Sequence, residues 1–115
     1  MTVRDFYAVV GGDCDAVLSR LLTEDRIRKY LLKFAANTDY TNMHAALDAQ
    51  NYEDAFRFVH NLKGMSANLG MTRLFNASSE LCELLRGGTP KGDIAPLLAA
   101  VDAEYAATSD AISQL

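Results

Sequence analysis

The stretch YEDAFRFVHNLKGMSANLG, residues 52–70, carries the clearest helical pattern in the chain. At about 100° per residue from His60, an apolar stripe falls on the opposite side of a helix predicted over about Tyr52–Leu69. The members of this stripe are Ala55, Phe58, Leu62, Met65, Ser66 and Leu69, with Val59 at its edge. On the other side lie Glu53, Phe56, His60, Lys63, Gly64 and Ala67. The pattern predicts an amphipathic helix that buries one face and turns His60 outward.

Helical periodicity in the rest of the chain predicts an all-α fold. Further helices are predicted at Val3–Val10, after Asp13, at about Glu24–Ala36, from Thr41 as N-cap to Gln50, at about Thr72–Arg86 and from Asp93 onwards. Short turns between them favour an antiparallel four-helix bundle with additional short N-terminal helices. We expect one domain over residues 1–115, with the short N-terminal helices at about 3–36 and the bundle helices at about 24–115.

The composition narrows the possible functions. With 11 Lys and Arg against 15 Asp and Glu, the net charge is −4, which argues against a nucleic-acid partner. No run approaches the ~18 apolar residues of a membrane span, and the first residues lack the apolar core of a signal peptide. We therefore expect a cytoplasmic monomer with no membrane partner. Cys14 and Cys82 are isolated and the two histidines are far apart, so we expect no metal and no cofactor.

The neighbours of His60 indicate chemistry at an exposed imidazole. Gly64 lies one turn later on the same face, where glycine costs about 1 kcal/mol relative to alanine and core packing cannot explain it. The missing side chain leaves room for a close approach to the ring. Lys63 brings an ammonium group at i+3, and Ala67 keeps the next turn small. Because neutral imidazole is a competent nucleophile near pH 7, these features favour transfer of an anion such as a phosphoryl group.

The segment His60-Asn-Leu-Lys63-Gly64, with Gly70 at the end of the same predicted helix, resembles the signature of histidine-containing phosphotransfer (HPt) domains. The resemblance implies that His60 is the phosphoacceptor and that Lys63 helps to hold the phosphoryl group. It implies that Gly64 gives the partner access to the ring and that Gly70 is structural.

This sequence departs from the family pattern on the helix that follows. In some members a polar side chain there, often glutamine, reaches the imidazole. The corresponding place is near Cys82, which cannot hold the ring in the same way. Either Ser78 or Ser79 substitutes, or the ring is less restrained.

The resemblance implies a phosphoryl carrier in a two-component phosphorelay rather than an autonomous enzyme. His60 would accept the group from an aspartate of a receiver domain and pass it to another receiver, with response regulators and a sensor histidine kinase, hybrid or separate, as partners. No nucleotide-binding glycine loop is present, so we expect no ATP-dependent kinase activity. Two alternatives stay open: the phosphoacceptor module of a chemotaxis-type kinase, and a helical adaptor that binds receivers without phosphotransfer.

Four other side chains lie outside this argument and are interpreted separately. Phe56 and Ala67 lie on the His60 face and are candidates for partner binding. Phe56 would instead serve packing if a neighbouring N-terminal helix covered it. His44 lacks a comparable neighbourhood and is interpreted as a surface histidine, and Asp102 as part of the solvated acidic face of the last helix.

Overall fold

The computed structural model describes residues 1–115 and contains seven helices and no strand. Their bounds are α1 Val3–Val10, α2 Cys14–Leu21, α3 Glu24–Ala35, α4 Asp39–Asp48, α5 Tyr52–Asn68, α6 Thr72–Leu85 and α7 Ile94–Ser113. None of them combines the length and the apolar character that crossing a bilayer requires.

The last four helices form an antiparallel bundle. Helix α5 packs against both α4 and α6, and α6 packs against α7. Tyr40 of α4 stacks on Tyr105 of α7 with the ring centroids 3.8 Å apart, which closes the ring of four helices. The N-terminal helices lie against this bundle, since α1 and α3 both contact α7. The predicted all-α bundle with additional short N-terminal helices is confirmed.

Side-chain caps account for most of the helix starts. Asp13 Oδ1 accepts a hydrogen bond from the Ala16 amide at 3.1 Å and begins α2. Asp93 Oδ1 accepts one from the Ala95 amide at 3.2 Å and begins α7. Each carboxylate satisfies an amide that has no partner within the first turn, which is why these short polar residues favour N-caps.

The predicted start of α4 is wrong by three residues, since Thr41 as N-cap would make Asn42 the first helical residue. The helix begins at Asp39, so Thr41 lies inside the first turn and does not cap it. The Asn37 side-chain oxygen accepts a hydrogen bond from the Tyr40 amide at 3.2 Å. Because Asn37 already satisfies this first-turn donor, the helix starts earlier than the Thr41 pattern indicated.

Gly70 lies in the turn between α5 and α6, and α2 packs closely against it. Its φ of +64° is left-handed, as predicted for the residue that ends α5. A Cβ at this position would lie 2.4 Å from Val17 Cγ2. Beside it, the buried Tyr7 hydroxyl donates a 2.6 Å hydrogen bond to the Leu69 carbonyl. The N-terminal helices therefore lock the end of α5 in place.

We predict that Gly70→Ala destabilises the protein by about 2–5 kcal/mol, because left-handed strain costs roughly 1–2 kcal/mol and overpacking roughly 1–3 kcal/mol. Gly87→Ala is the matched control. Gly87 has a φ of +88°, but a Cβ there would meet no atom within 4 Å, so only the strain of about 1–2 kcal/mol is expected. Urea unfolding curves of both variants measure the difference. Equal losses of stability would contradict the proposed close packing of α2 on Gly70.

Candidate functional site

Helix α5 presents His60 on its solvent-facing side. Asn51 caps the helix by accepting a hydrogen bond from the Asp54 amide at 3.2 Å. The buried residues of the helix are Ala55, Val59, Leu62 and Ser66, and Leu69 just beyond it is buried too. Phe58 and Met65 are half-buried, so the predicted core stripe is confirmed with its centre shifted toward Val59. His60 itself is exposed, and no hydrogen bond holds its ring, so both ring nitrogens are free.

A shallow cleft of about 340 Å³ surrounds the imidazole. Its lining residues are Phe56, Arg57, His60, Asn61 and Arg86. The Asn61 amide donates a 3.1 Å hydrogen bond to an Asp39 carboxylate oxygen, which fixes one wall of the cleft against the start of α4. The opposite wall comes from the end of α6. The cleft is open to solvent, so a group on the ring can be reached from outside.

Phe56 is half-buried rather than exposed. Its ring centroid lies 5.8 Å from that of His60, and the Arg86 guanidinium carbon lies 5.3 Å from the Phe56 centroid. The residue therefore packs between α5 and the end of α6, and its ring meets Arg86 rather than the N-terminal helix that was the alternative to an exposed docking anchor. The cause is the antiparallel pairing of α5 and α6, in which residues at similar distances before and after the turn at Gly70 face each other.

Lys63 and Gly64 lie one turn further along α5. The Lys63 ammonium lies 6.0 Å from the centroid of the Phe75 ring, and its side chain is half-buried against α6. A Cβ on Gly64 would meet no atom within 4 Å. Ala67, on the following turn, is exposed. The surface of α5 beyond the imidazole therefore carries only small residues at Gly64 and Ala67, with the Lys63 ammonium at its edge.

Cys82 lies on α6 and is completely buried. Burial raises the pKa of its thiol, while the charges of Lys63 and Arg86 act in the opposite direction. The thiol makes no hydrogen bond to His60, which leaves the ring without the polar restraint that some family members provide.

The two serines considered as substitutes do not hold the ring either. The Ser79 hydroxyl donates to the Phe75 carbonyl at 2.7 Å. The Ser78 hydroxyl is buried and has no hydrogen-bond partner. Of the two alternatives, the structure favours the less restrained imidazole.

His44 was predicted to be a surface histidine, but it is half-buried and bonded to another helix. Its Nε2 lies 2.6 Å from Asp102 Oδ1, and the Tyr40 hydroxyl donates to the same oxygen at 2.5 Å. Tyr40 also stacks on Tyr105. Burial, followed by the bond to Asp102, raises the pKa of the Tyr40 hydroxyl. These side chains fasten α4 to α7, so Asp102 is a structural acceptor and not merely part of a solvated face.

Arg86 is the site residue that the sequence reasoning missed. It follows the last residue of α6 and is 26 positions from His60, so no local spacing connects the two. The only available signal was the predicted α5–α6 hairpin, which pairs position 86 with position 56 across the turn.

The comparisons with known proteins agree with this geometry. A family model described as Hpt domain matches residues 31–111 of the 115-residue chain. Neither the comparison with curated proteins nor that with solved structures gave a significant match. The matched region contains the whole of α4, α5 and α6, and with them the exposed imidazole and its neighbours. The chain therefore belongs to the Hpt domain family, whose members act in histidine phosphotransfer within phosphorelays.

Proposed function

We propose that His60 accepts a phosphoryl group from the aspartate of one receiver domain and passes it to another receiver. The observation that carries this proposal is the combination of an unrestrained, exposed imidazole with open space over Gly64. Lys63, one turn further along α5, supplies one positive charge near the imidazole. Phosphoryl transfer needs alignment and neutralisation of charge more than covalent help, so a flat surface that admits a second protein is suited to it.

The reaction moves one phosphoryl group between two side chains. A ring nitrogen of neutral His60 gives its lone pair to the phosphorus of the aspartyl phosphate. The N–P bond forms as the P–O bond breaks, and the receiver keeps the carboxylate. The phosphorylated ring is positively charged until its remaining N–H proton leaves to water. Any Mg²⁺ comes with the receiver's acidic site, and the reverse sequence delivers the group to the next receiver.

Receiver domains are the partners that this surface would bind, and we propose that the chain acts as a monomer. Gly64 and Ala67 form a low strip along the exposed face of α5, which lets a receiver's aspartate come close to the ring. Phe56 contributes the half-buried apolar edge of the same surface. A sensor histidine kinase, hybrid or separate, would load the first receiver.

The proposal is tested by incubating the chain with a ³²P-labelled receiver and its cognate kinase. We expect label on this chain that is labile in acid and stable in base, as phosphohistidine is. A second, unlabelled receiver should then remove the label. Stable binding of receivers without any such label would instead identify a helical adaptor and would overturn the proposal.

Lys63→Ala is expected to slow phosphoryl transfer to His60 by about 10- to 100-fold, because a hydrogen bond to a charged group contributes about 1.5–3 kcal/mol. The fold should persist, since the Lys63 side chain is only half-buried and makes no hydrogen bond. Lys29→Ala, which removes an exposed lysine from α3, is the control and should transfer at nearly the parental rate. Initial transfer rates and thermal unfolding check both expectations. An unfolded Lys63→Ala protein would show that this face is structural.

A further inference from the structure

The outer face of α3 carries three positive charges that have no counter-ion in the chain. The buried residues of this helix are Ile27, Leu31 and Phe34, and the helix contacts α1, α2 and α7. At about 100° per residue, Arg26, Lys29 and Lys33 share an arc of about 60° on the outward side. All three are exposed, and none forms an ion pair. A chain with a net charge of −4 thus gathers positive charge on one face.

The stability of the helix does not account for these charges. Lys33 lies in the last turn, where the helix dipole favours a cation, and its ammonium lies 5.6 Å from the centroid of the Tyr30 ring. Arg26 lies in the first turn, where the dipole disfavours a cation. Lys29 lies in the middle of the helix, and Asp25, four residues earlier, forms no ion pair with it. Two of the three charges are therefore free to attract another molecule.

Two leucines in the same part of the chain are exposed to solvent. Leu32, within α3, is 55% exposed, and Leu22, just before the helix, is 69% exposed. Leu22 also has a φ of +76°, a conformation that a leucine rarely adopts. Burial of these side chains against another molecule would remove apolar surface from water, which favours association.

A shallow groove of about 600 Å³ follows this face of the helix. Its lining residues are Asp25, Arg28, Lys29, Leu32, Lys33 and Ala36. From Arg26 to Lys33 the face extends about 10 Å, at roughly 1.5 Å per residue. A second helix laid along it would bring carboxylates spaced at i, i+3 and i+7 opposite the three cations, and an apolar side chain against Leu32.

We propose that the outer face of α3 binds an acidic amphipathic helix of a partner protein, with Asp or Glu along one stripe and leucine-like side chains along the next. We call this face the α3 surface and define it by Arg26, Lys29, Leu32 and Lys33. None of the residues that line its groove lines the His60 cleft. The arrangement lets one protein hold the chain while His60 stays free for another, and the inference does not depend on phosphotransfer.

Two other ligands fit the α3 surface less well. A nucleic acid would use the cations but leave the exposed leucines without an apolar partner. An anionic membrane needs a continuous apolar stripe that can enter the bilayer interface. Here Lys29 lies on the same face as Leu32, and the negative charge of the whole chain opposes approach to such a membrane.

The test uses a fluorescein-labelled peptide of about 18 residues, or roughly five helical turns, made of Glu, Leu and Ala in the proposed pattern. Fluorescence anisotropy should show saturable binding with a Kd on the order of 10–100 µM. Binding should weaken as salt is added, because the pairs are exposed. A peptide with Gln in place of Glu should bind at least 10-fold more weakly.

Variants of the chain locate the binding site. Lys29→Glu should weaken peptide binding about 10-fold, because it places like charges opposite each other. Leu32→Gln keeps a good helix former and should weaken binding about 3- to 5-fold through the lost apolar contact. Lys91→Glu, which reverses an exposed lysine in the loop after α6, is the matched control and should change the Kd less than twofold. Circular dichroism checks that each variant is folded.

The outcomes separate this inference from the proposed function. Lys29→Glu should lose peptide binding and keep its rate of phosphoryl transfer from a receiver. The inference is refuted if the peptide does not bind, if Lys29→Glu and Lys91→Glu behave alike, or if amide NMR signals around His60 shift instead of those of α3. Binding of the chain to phosphatidylserine vesicles but not to the peptide would assign the surface to a membrane and would also refute it. If His60 accepts no label, the proposed function fails and the peptide result stands.

Discussion

His60→Gln is expected to reduce phosphoryl acceptance from a phosphorylated receiver to background, the largest effect of any substitution in this chain. Glutamine is polar and of comparable length, but its amide nitrogen has no nucleophilic lone pair, so no N–P bond can form. The fold should be unchanged, because the His60 ring is exposed and makes no hydrogen bond. The measurement is the amount of acid-labile, base-stable label on the chain after incubation with receiver and kinase.

His44→Gln is the matched control, because His44 and His60 are the two histidines of the chain. His44 contacts Asp102 through Nε2 and connects α4 to α7, away from the cleft. We expect this variant to accept the group at the parental level, with at most a loss of stability. Retention of label by His60→Gln, or its disappearance in His44→Gln, would locate the acceptor elsewhere.

Gly64→Gln is expected to slow transfer by about 100-fold or more while leaving the protein folded and slightly more stable. A side chain on this residue would meet no atom of the protein within 4 Å, so it would project into the space above α5. There it would obstruct the receiver, and a loss of about 2.7 kcal/mol of favourable contact corresponds to 100-fold. The added helix propensity should stabilise the fold by up to about 1 kcal/mol. Transfer rates and urea unfolding measure the two effects separately.

Gly64→Ala separates the effect of obstruction on the transfer rate from the effect of helix propensity on stability. Alanine gives the full gain of about 1 kcal/mol in stability, since it is the best helix former, but adds only a methyl group above the helix. We therefore expect a smaller reduction in transfer rate than for Gly64→Gln. Equal rates in the parent and in Gly64→Gln would refute the role of this glycine in access. A clear loss of stability in either variant would show that the position is packed.

The helix starts show where local sequence is sufficient. Asp13 and Asp93 begin α2 and α7 as predicted, because each cap depends only on an amide two or three residues further along. The start of α4 was missed because Thr41 looked like an N-cap, whereas the helix begins at Asp39 and the Tyr40 amide donates to the Asn37 side chain. His44 was misjudged for a different reason. Its partner Asp102 is 58 positions away, and nothing in the local pattern connects them.

The sequence by itself determined the face that carries His60, Lys63 and Gly64. All three belong to one helix, and the fixed turn of about 100° per residue places them relative to the buried stripe. Only the tertiary structure decided what surrounds that face. The positions of Phe56 and Arg86, and the burial of Cys82 without a bond to the ring, depend on how α5 and α6 pack across the turn at Gly70. Spacing within a helix is set by backbone geometry, whereas contacts between helices are set by side-chain packing that no local pattern encodes.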